Sequence, residues 1–557
     1  MKIVIIGGVA GGASAATRLR RLDETAEILI LERGPDISFA SCGMPYYIGD
    51  VIKSEKALLL NNAASFREKY NIEVRALNNV DRINREKKTL TVTNRETGKT
   101  YEESYDKLLI ATGAEPIIPP IAGMDSKRVF TLRSVPDAVK IKTFLQESGA
   151  KRAVIVGGGA IGLEMAENFR HIGLDVTIVE MSGQLLAPTD VEMAAQVQTH
   201  AEQNGIKVIL NNGAKEIIDD GGELTVKLND GEIKADMLLM AVGVRPDSAL
   251  AREAVIALNP RGAVIVDETM RTSDPDIYAV GDVVQVYHIV TGQPMSIFLA
   301  GPANRQARIA ADNLAGQQSK YPGVLGTGIV KLFDMTVAFT GVNEKTAKEN
   351  NLDYDKVYLT LPQHAGYYPG GREMKMKVLF EKTTGKIFGA QIVGFDGVDK
   401  RVDIFATVIK LGGTALDLQE IDFCYSPPYG MPKDPANMAG YVIENVVKKH
   451  MSQYHWNEVA DIPKDGSATL LDVRETKDKK LGDIDGFSYM PLEELREKMQ
   501  EIDKGKPVYV NCKSGRRGYN ACRALEAQGY KVANLAGGIM IYGCINESCE
   551  PKEKKSN

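Results

Sequence analysis

Two stretches of this 557-residue chain repeat one local design. Residues 2 to 6, K-I-V-I-I, run into Gly7-Gly8-Val9-Ala10-Gly11-Gly12, and an alanine-rich stretch follows to Leu22. Residues 153 to 156, A-V-I-V, run into Gly157-Gly158-Gly159-Ala160-Ile161-Gly162, with Glu164 and a helical pattern beyond. Each predicts a strand, a tight turn and a helix start, where backbone N–H groups and the helix dipole can receive a pyrophosphate. The next strand in each ends on an acid suited to a ribose hydroxyl: Glu32, 20 residues after Gly12, and Glu180, 18 residues after Gly162. The second fingerprint is complete, whereas the first has Val9 at its middle glycine. Alone, that first turn also suits a purely structural role.

A third motif supplies context. T-S-D-P-D-I-Y-A-V-G-D, residues 272 to 282, reads as a strand ending at Gly281 and Asp282, a carboxylate suited to a ribitol hydroxyl. L-L-I-A-T-G at 108 to 113 and L-L-M-A-V-G at 238 to 243 read as strands crossing between the units, though ordinary buried strands would look the same. Two dinucleotide units in one chain suggest two dinucleotides. Glu180 is followed by Met181 and Ser182 rather than an arginine, so a ribose 2′-OH is accepted and a 2′-phosphate repelled, favouring NADH over NADPH.

The candidate reactive residue is Cys42, within S-F-A-S-C-G-M-P-Y-Y at 38 to 47. The six cysteines, at 42, 424, 512, 522, 544 and 549, are too scattered for a disulfide framework and form no C-x-x-C metal pattern, so no metal is expected. With no second cysteine beside it, Cys42 takes its sulfur or oxygen partner from outside. Composition is that of a soluble globular protein, 44% hydrophobic and 25% charged. The net charge of -5 gives no argument for nucleic acid or membrane binding, and no apolar run suits a signal or spanning segment, so a cytoplasmic location is the expectation.

With these elements in order, residues 1 to 448 resemble the two-dinucleotide-binding flavoprotein disulfide reductases. The resemblance implies an α/β fold with two Rossmann-like dinucleotide-binding domains, an α+β dimer-interface domain and a homodimer. FAD would occupy a discontinuous domain, 1–110 with 268–322, at Gly7, Gly8, Gly12, Glu32, Arg33, Thr112, Gly113, Gly281 and Asp282. NADH would occupy 111–267, at Gly157, Gly159, Gly162, Glu164, Glu180 and Gly243. The interface domain would span 323–448, where M-K-M-K-V-L-F at 374 to 380 and I-F-G-A-Q-I-V-G at 387 to 394, separated by T-T-G-K, read as a hairpin.

Within that family, NADH oxidases and peroxidases typically carry a histidine just after the first glycine turn, and Val9-Ala10-Gly11 has none. C-G-M-P-Y-Y instead resembles the coenzyme A disulfide reductases and the related NADH-dependent persulfide reductases, as do H-A-G-Y-Y-P at 364 to 369 and C-Y-S-P-P-Y-G-M-P-K-D-P-A-N-M at 424 to 438. The resemblance implies that Tyr367 and Tyr425 hydrogen-bond the attacking or leaving sulfur; interface packing is the competing reading, and Tyr368 competes with Tyr367. It also implies coenzyme A contacts at Ser14, Ser38, Ser41, Asn304 and Lys433. Arg18 and Arg21, one turn apart, can present guanidinium groups to a 3′-phosphate, or Arg20 and Arg21 can form a solvated helical surface.

After residue 456 the pattern changes. T-L-L-D-V-R-E at 469 to 475 ends a strand in an Asp-x-Arg pair, and P-V-Y-V-N-C at 507 to 512 delivers Cys512 into Lys513-Ser514-Gly515-Arg516-Arg517-Gly518 before a helix. A cysteine there meets a ring of backbone N–H donors, which stabilises a thiolate or a persulfide. With L-A-G-G-I downstream, the segment 457–557 resembles an α/β rhodanese domain, with Cys512 as sulfur carrier and Asp472 and Arg474 bracing the loop. It departs from that pattern at Asp483 and Tyr542, where a histidine and a tryptophan are usual. A C-x5-R phosphatase loop is a weaker rival, because Arg517 falls one residue short. Cys522 reads as core, Cys424 as interface packing, and Cys544 and Cys549 as remote candidates for a resolving role ahead of a disordered lysine-rich tail.

The expected activity is NADH-driven, FAD-dependent reduction of CoA persulfide or polysulfide, releasing sulfide, with coenzyme A able to rest in disulfide linkage on Cys42. CoA-disulfide reduction as the main activity, NADH oxidation by oxygen, and redox sensing remain alternatives.

Overall fold

The computed structural model describes residues 1–545. The chain divides into two compact units, one of residues 1–183 and 205–324, the other of residues 184–204 and 325 onward.

The first unit contains the two glycine-turn designs as two parallel five-stranded sheets. In one, the order is Ile277–Ala279, Lys107–Ile110, Lys2–Ile6, Glu27–Leu31, Glu73–Arg75. In the other it is Ile206–Ile209, Asp175–Val179, Arg152–Val156, Met237–Met240, Val129–Phe130. The central strands are near-continuous apolar runs because both faces are covered: Val80, Leu90 and Val92 of one three-stranded antiparallel sheet share the core of Ile3, Val4 and Ile5, which are fully buried, and Leu224 and Val226 of another share that of Val154 and Val156. The A-T-G-like stretches are strands, but each lies beside the glycine-turn strand of its own sheet. The crossing is made just beyond them, where Ala114–Pro116 pairs antiparallel with Val244–Pro246.

In the second unit the expected hairpin is present, Glu373–Glu381 pairing antiparallel with Ile387–Gly394. It forms the middle of a five-stranded sheet, Gly328–Leu332, Met335–Gly341, Ile387–Gly394, Glu373–Glu381, Tyr354–Pro362. The C-terminal segment builds a separate parallel sheet, Gln453–Tyr454, Val532–Leu535, Val508–Asn511, Thr469–Asp472, Ser488–Tyr489.

Residues 184–204 lie inside the stretch assigned above to the NADH domain, yet group with the second unit. Their anchor is electrostatic. Lys377, fully buried, reaches Asp190 at 2.8 Å, Glu344 at 2.5 Å and Glu192. The Tyr358 hydroxyl donates to Glu192 at 2.5 Å, and the residue itself clusters with Ala536 and Ile541 of the C-terminal segment. A buried ammonium survives only when carboxylates surround it, and here they hold Lys377 charged.

Candidate active site

The helix Ala10–Leu22 starts directly after the first glycine turn, and Gly12 is required because a Cβ there would lie 1.8 Å from the Gly7 carbonyl oxygen. Gly162 repeats this, 2.0 Å from the Gly157 carbonyl oxygen. The acids repeat too. Glu32 accepts the Gly8 N–H at 2.9 Å and the Gly34 N–H at 2.8 Å, and Glu180 accepts the Gly158 N–H at 2.7 Å and the Ser182 N–H at 2.8 Å. Each carboxylate is therefore fixed at the mouth of its turn.

A cavity of about 910 Å³ opens over the first turn. Gly7, Val9, Gly11, Glu32, Arg33, Asp36, Cys42, Thr112, Gly113, Gly281 and Asp282 line it. It joins a turn open to a pyrophosphate, an acid placed for a ribose and the free thiol of Cys42 in one space, which fits a flavin dinucleotide. Val9, the departure from the fingerprint, lines this space with Ala10 and Gly11. Burial pushes the Asp282 carboxyl up to about 6 against the pull of Arg133. Arg33 binds Asp247 at 2.7 Å, and Thr112 donates to the Asp247 carbonyl at 2.6 Å, so two of the implied contacts also brace the strand crossing. Asp247 and Arg133 line the same cavity and had no signal in the sequence.

In the second design, Gly159 has no atom within 4 Å of an added Cβ, leaving room for a phosphate before the helix Ala160–His171. Glu164 lies on that helix, and Gly243 has φ +110° just after its strand.

Cys42 is exposed, in the 3₁₀ turn Ser41–Gly43 that leads into the helix Met44–Ile48. The far end of that helix is clamped by Lys142, whose ammonium donates to the Tyr47 carbonyl at 2.7 Å and to Asp50 at 2.8 Å and stacks 4.1 Å from the Tyr47 ring centre. No sequence signal marks Lys142, since its target is a carbonyl 95 residues away.

The implied coenzyme A contacts fall in both units. Ser14 donates to Asn304, joining the helices Ala10–Leu22 and Ala300–Leu314. Arg18 is bound through Nε to Asp312 at 2.8 Å, and Arg21 is exposed. Arg20 is not on a solvated surface: it is 5% exposed and its guanidinium binds the carbonyls of Tyr70 and Asn71, together with those of Asp23 and Glu24, so one member of that pair is structural. Ser38 has φ +48° and Ser41 directly precedes Cys42. In the second unit, the Tyr367 and Tyr425 hydroxyls are 2.7 Å apart on exposed rings, and Tyr368 stacks edge-on to His364. Lys433 and Cys424 are exposed.

Cys512 directly follows the strand Val508–Asn511 and is 1% exposed. The Gly515 N–H donates to its sulfur at 3.1 Å. Burial pushes the thiol up, while backbone N–H groups of Gly518, Ser514, Gly515 and Arg517 pull it down. The expected ring of donors is thus present, with burial opposing it. Arg517 is committed to Asp478 at 2.7 Å and to Glu475, Lys513 to Glu373 at 3.0 Å, and Arg516 is exposed. Arg474, fully buried, binds Asp472 at 2.7 Å and Asp483 at 2.6 Å, so the aspartate at the departing position joins the brace. Cys522 is buried beside Cys512 in one apolar cluster. Cys544 accepts from Lys375 at 3.4 Å. Cys549 and the lysine-rich tail lie outside the described residues. Among the described residues, no helix is long and apolar enough to cross a membrane.

Comparison with known proteins agrees with this geometry. Residues 1–307 match the Pyridine nucleotide-disulphide oxidoreductase family, residues 327–434 its dimerisation domain, and residues 455–542 the Rhodanese-like domain. A Coenzyme A disulfide reductase of Staphylococcus epidermidis is 38% identical over 442 residues, 79% of this chain and 99% of that protein. Reduced Bacillus anthracis CoADR-RHD is 45% identical with a TM-score of 0.96, covering 98% of both chains. A NAD-Dependent Persulfide Reductase from A. fulgidus is 35% identical with a TM-score of 0.91, covering 97% of this chain and 100% of that one. The chain belongs to the pyridine nucleotide-disulphide oxidoreductases, carrying that family's dimerisation domain and a C-terminal rhodanese-like domain.

Proposed function

We propose that the protein is a homodimeric, NADH-driven flavoenzyme that reduces CoA persulfide or polysulfide at Cys42 and releases sulfide, with CoA disulfide as an alternative substrate. One observation carries the reading: a single-cysteine reductase unit is joined in one chain to a rhodanese-like unit whose Cys512 sits in a ring of N–H donors. A disulfide reductase has no need of a sulfane-sulfur carrier, whereas a persulfide reductase gains a second site that accepts or donates one.

In this reading the flavin lies in the cavity over Gly7–Gly12 and NADH at the turn Gly157–Gly162, together supplying two-electron hydride chemistry. The proposed domains are 1–110 with 268–322 for the flavin, 111–267 for NADH, 323–448 for dimerisation and 457–557 for the sulfur carrier, with residues 184–204 of the NADH stretch grouping with the second unit. Glu180 holds the ribose and disfavours a 2′-phosphate. The Cys42 thiolate attacks the inner sulfur of CoA persulfide; the S–S bond breaks, hydrosulfide leaves with its electron pair, and a Cys42–CoA disulfide forms. Two electrons and one proton then cleave that disulfide to the Cys42 thiolate and CoA thiol; NADH oxidation releases that proton, so with hydrosulfide as product the net reaction takes up none. Tyr367 and Tyr425 donate hydrogen bonds to the leaving sulfur, Ser14, Ser38, Ser41 and Asn304 contact coenzyme A, and Arg18, Arg21 and Lys433 attract its phosphates. Cys512 exchanges sulfane sulfur with the pantetheine thiol.

Likeness to a water-forming NADH oxidase from Lactobacillus brevis, 27% identical with a TM-score of 0.77, keeps oxygen as the rival acceptor. The test compares kcat/KM for CoA persulfide, polysulfide, CoA disulfide and oxygen. Fast turnover of either sulfane substrate with sulfide release is expected. Efficient CoA disulfide or oxygen turnover with no sulfide from the others overturns the proposal.

A further inference from the structure

Two loops of the second unit carry the tyrosines whose hydroxyls stand 2.7 Å apart. Residues 363–372, with Tyr367, join the strand Tyr354–Pro362 to the strand Glu373–Glu381, and residues 421–434, with Tyr425, lead into the helix Pro435–Val447. Tyr367 is 77% exposed and Tyr425 43%, so packing of the rings does not hold the two phenols together. Their placement comes from the bases of the loops.

Both bases meet on one side chain. Arg401, on the helix Val398–Lys410, is 1% exposed. Its Nη2 donates to the Gln363 carbonyl at 3.2 Å, at the start of the first loop, and to Asp434 at 2.8 Å, which its Nε also reaches at 3.3 Å. Asp434, 2% exposed, closes the second loop and caps the helix after it, accepting the Ala436 N–H at 3.0 Å. Nη1 donates to the Gly397 carbonyl at 3.1 Å, and the backbone makes room for it: Gly397 has φ +66°, and a Cβ there would lie 2.2 Å from that nitrogen. Further out, the Ala365 N–H donates to the Gly430 carbonyl at 2.8 Å, and the Tyr368 and Gly430 N–H groups fold each loop back onto its own Ala365 and Ser426 carbonyls. Guanidinium, backbone bond and phenol pair thus join the loops from base to tip. Burying an Arg–Asp pair adds little net stability, since both ions are desolvated, but a planar fork fixes the directions of its partners.

We propose that Arg401 is a positioning residue for the Cys42 reaction: its buried fork sets the two loops so that the Tyr367 and Tyr425 phenols meet and present one polarised O–H to the reacting sulfur. Of two hydroxyls in contact, one donates to the other, and the acceptor keeps its own O–H, polarised by the bond it receives, for the sulfur. Separated, the phenols lose that polarisation. The proposal rests on the reading that these phenols serve the sulfur.

The test is a mutant cycle on the full-length, FAD-loaded protein, read as NADH consumed with CoA persulfide and, separately, with CoA disulfide, so that it stands apart from which of the two is the main substrate. Tyr367→Phe combined with Tyr425→Phe lowers kcat by about 10- to 100-fold, the range for hydrogen bonds to a charged group. Arg401→Lys keeps a cation, with Lys400 still 3.5 Å from Asp434, but loses the fork. It lowers kcat by about 3- to 10-fold, leaves KM within about 2-fold, and speeds hydrogen exchange at the Ala365 amide. Added to the phenylalanine pair, Arg401→Lys costs less than about 2-fold more, because the groups it places are gone. A merely structural loss multiplies instead, and that result overturns the proposal, as does full-rate turnover or unchanged Ala365 exchange in Arg401→Lys. A phenylalanine pair at full rate strikes the sulfur role of the phenols and the proposal with it, whereas a slow pair with a multiplying cycle strikes the proposal alone. Should Arg401→Lys not fold, Asp434→Asn, which keeps the helix cap and weakens the fork, takes its place in the same cycle and decides it.

Discussion

Replacing Lys377 by methionine tests whether the buried charge cluster anchors residues 184–204. The ammonium is fully buried, and the side chains of Glu192, Asp190 and Glu344 around it are 1%, 9% and 14% exposed. Removing it leaves these carboxylates, among the described residues, with Lys356 at 2.8 Å and the more exposed Lys348 at 3.9 Å, both on Glu344. Breaking a buried pair in this way costs about 3 to 5 kcal/mol, because the orphaned charges stay desolvated. In a unit of this size that corresponds to a drop of roughly 10 °C in the transition of the second unit, read by calorimetry on the full chain. The acid side gives an independent reading. The Lys377 and Lys356 ammonium groups hold Glu344 at about 2 against its ordinary 4.5, even though burial opposes them. That difference stabilises the fold by about 3 kcal/mol above pH 4.5 and is lost as pH falls toward 2. Lys377→Met therefore flattens the acid limb of the stability curve as well as lowering it. Adding Glu192→Gln recovers part of the loss. A shift of less than about 2 °C, with the acid limb unchanged, refutes the reasoning.

Two further substitutions probe the first unit. Lys142→Met removes both hydrogen bonds at the end of the Cys42 helix; it speeds hydrogen exchange at the Val51 and Ile52 amides, which bond the Tyr46 carbonyl, by about 5- to 100-fold, the effect of about 1 to 3 kcal/mol. Unchanged exchange there would show that the clamp is idle. Glu180→Ala frees the Gly158 and Ser182 amides and lowers the NADH over NADPH preference, read as the ratio of kcat/KM values, by about tenfold, or 1.4 kcal/mol. An unaltered ratio would place cofactor selection elsewhere.

What the sequence made legible was local. Glycine turns, the acids that close them, and a cysteine at a strand end are short-range signals, and the strands Lys2–Ile6, Arg152–Val156 and Val508–Asn511 stand where they were expected. What it hid was long-range pairing. Residues 184–204 look like a continuation of the second dinucleotide design until Lys377, far along the chain, is seen to bind them. Arg20 reads as a surface charge until four backbone carbonyls are found around its guanidinium, and nothing in the sequence marks Lys142, which donates to the Tyr47 carbonyl at the end of the Cys42 helix. In each case burial of a charge depends on a partner that no spacing rule locates. The rhodanese-like loop lies between these extremes: its N–H ring is local, but the ion pairs of Arg517 and of Lys513 come from residues 39 and 140 positions away.

The central claim is that Cys42 releases sulfide from a sulfane substrate with electrons from NADH. It is tested most directly by measuring sulfide formed per NADH consumed when the FAD-loaded chain meets CoA persulfide without oxygen. Equal amounts of the two, abolished by Cys42→Ser and retained in Cys512→Ser, are the predicted result. NADH consumed without sulfide, or sulfide release that survives Cys42→Ser, would contradict it.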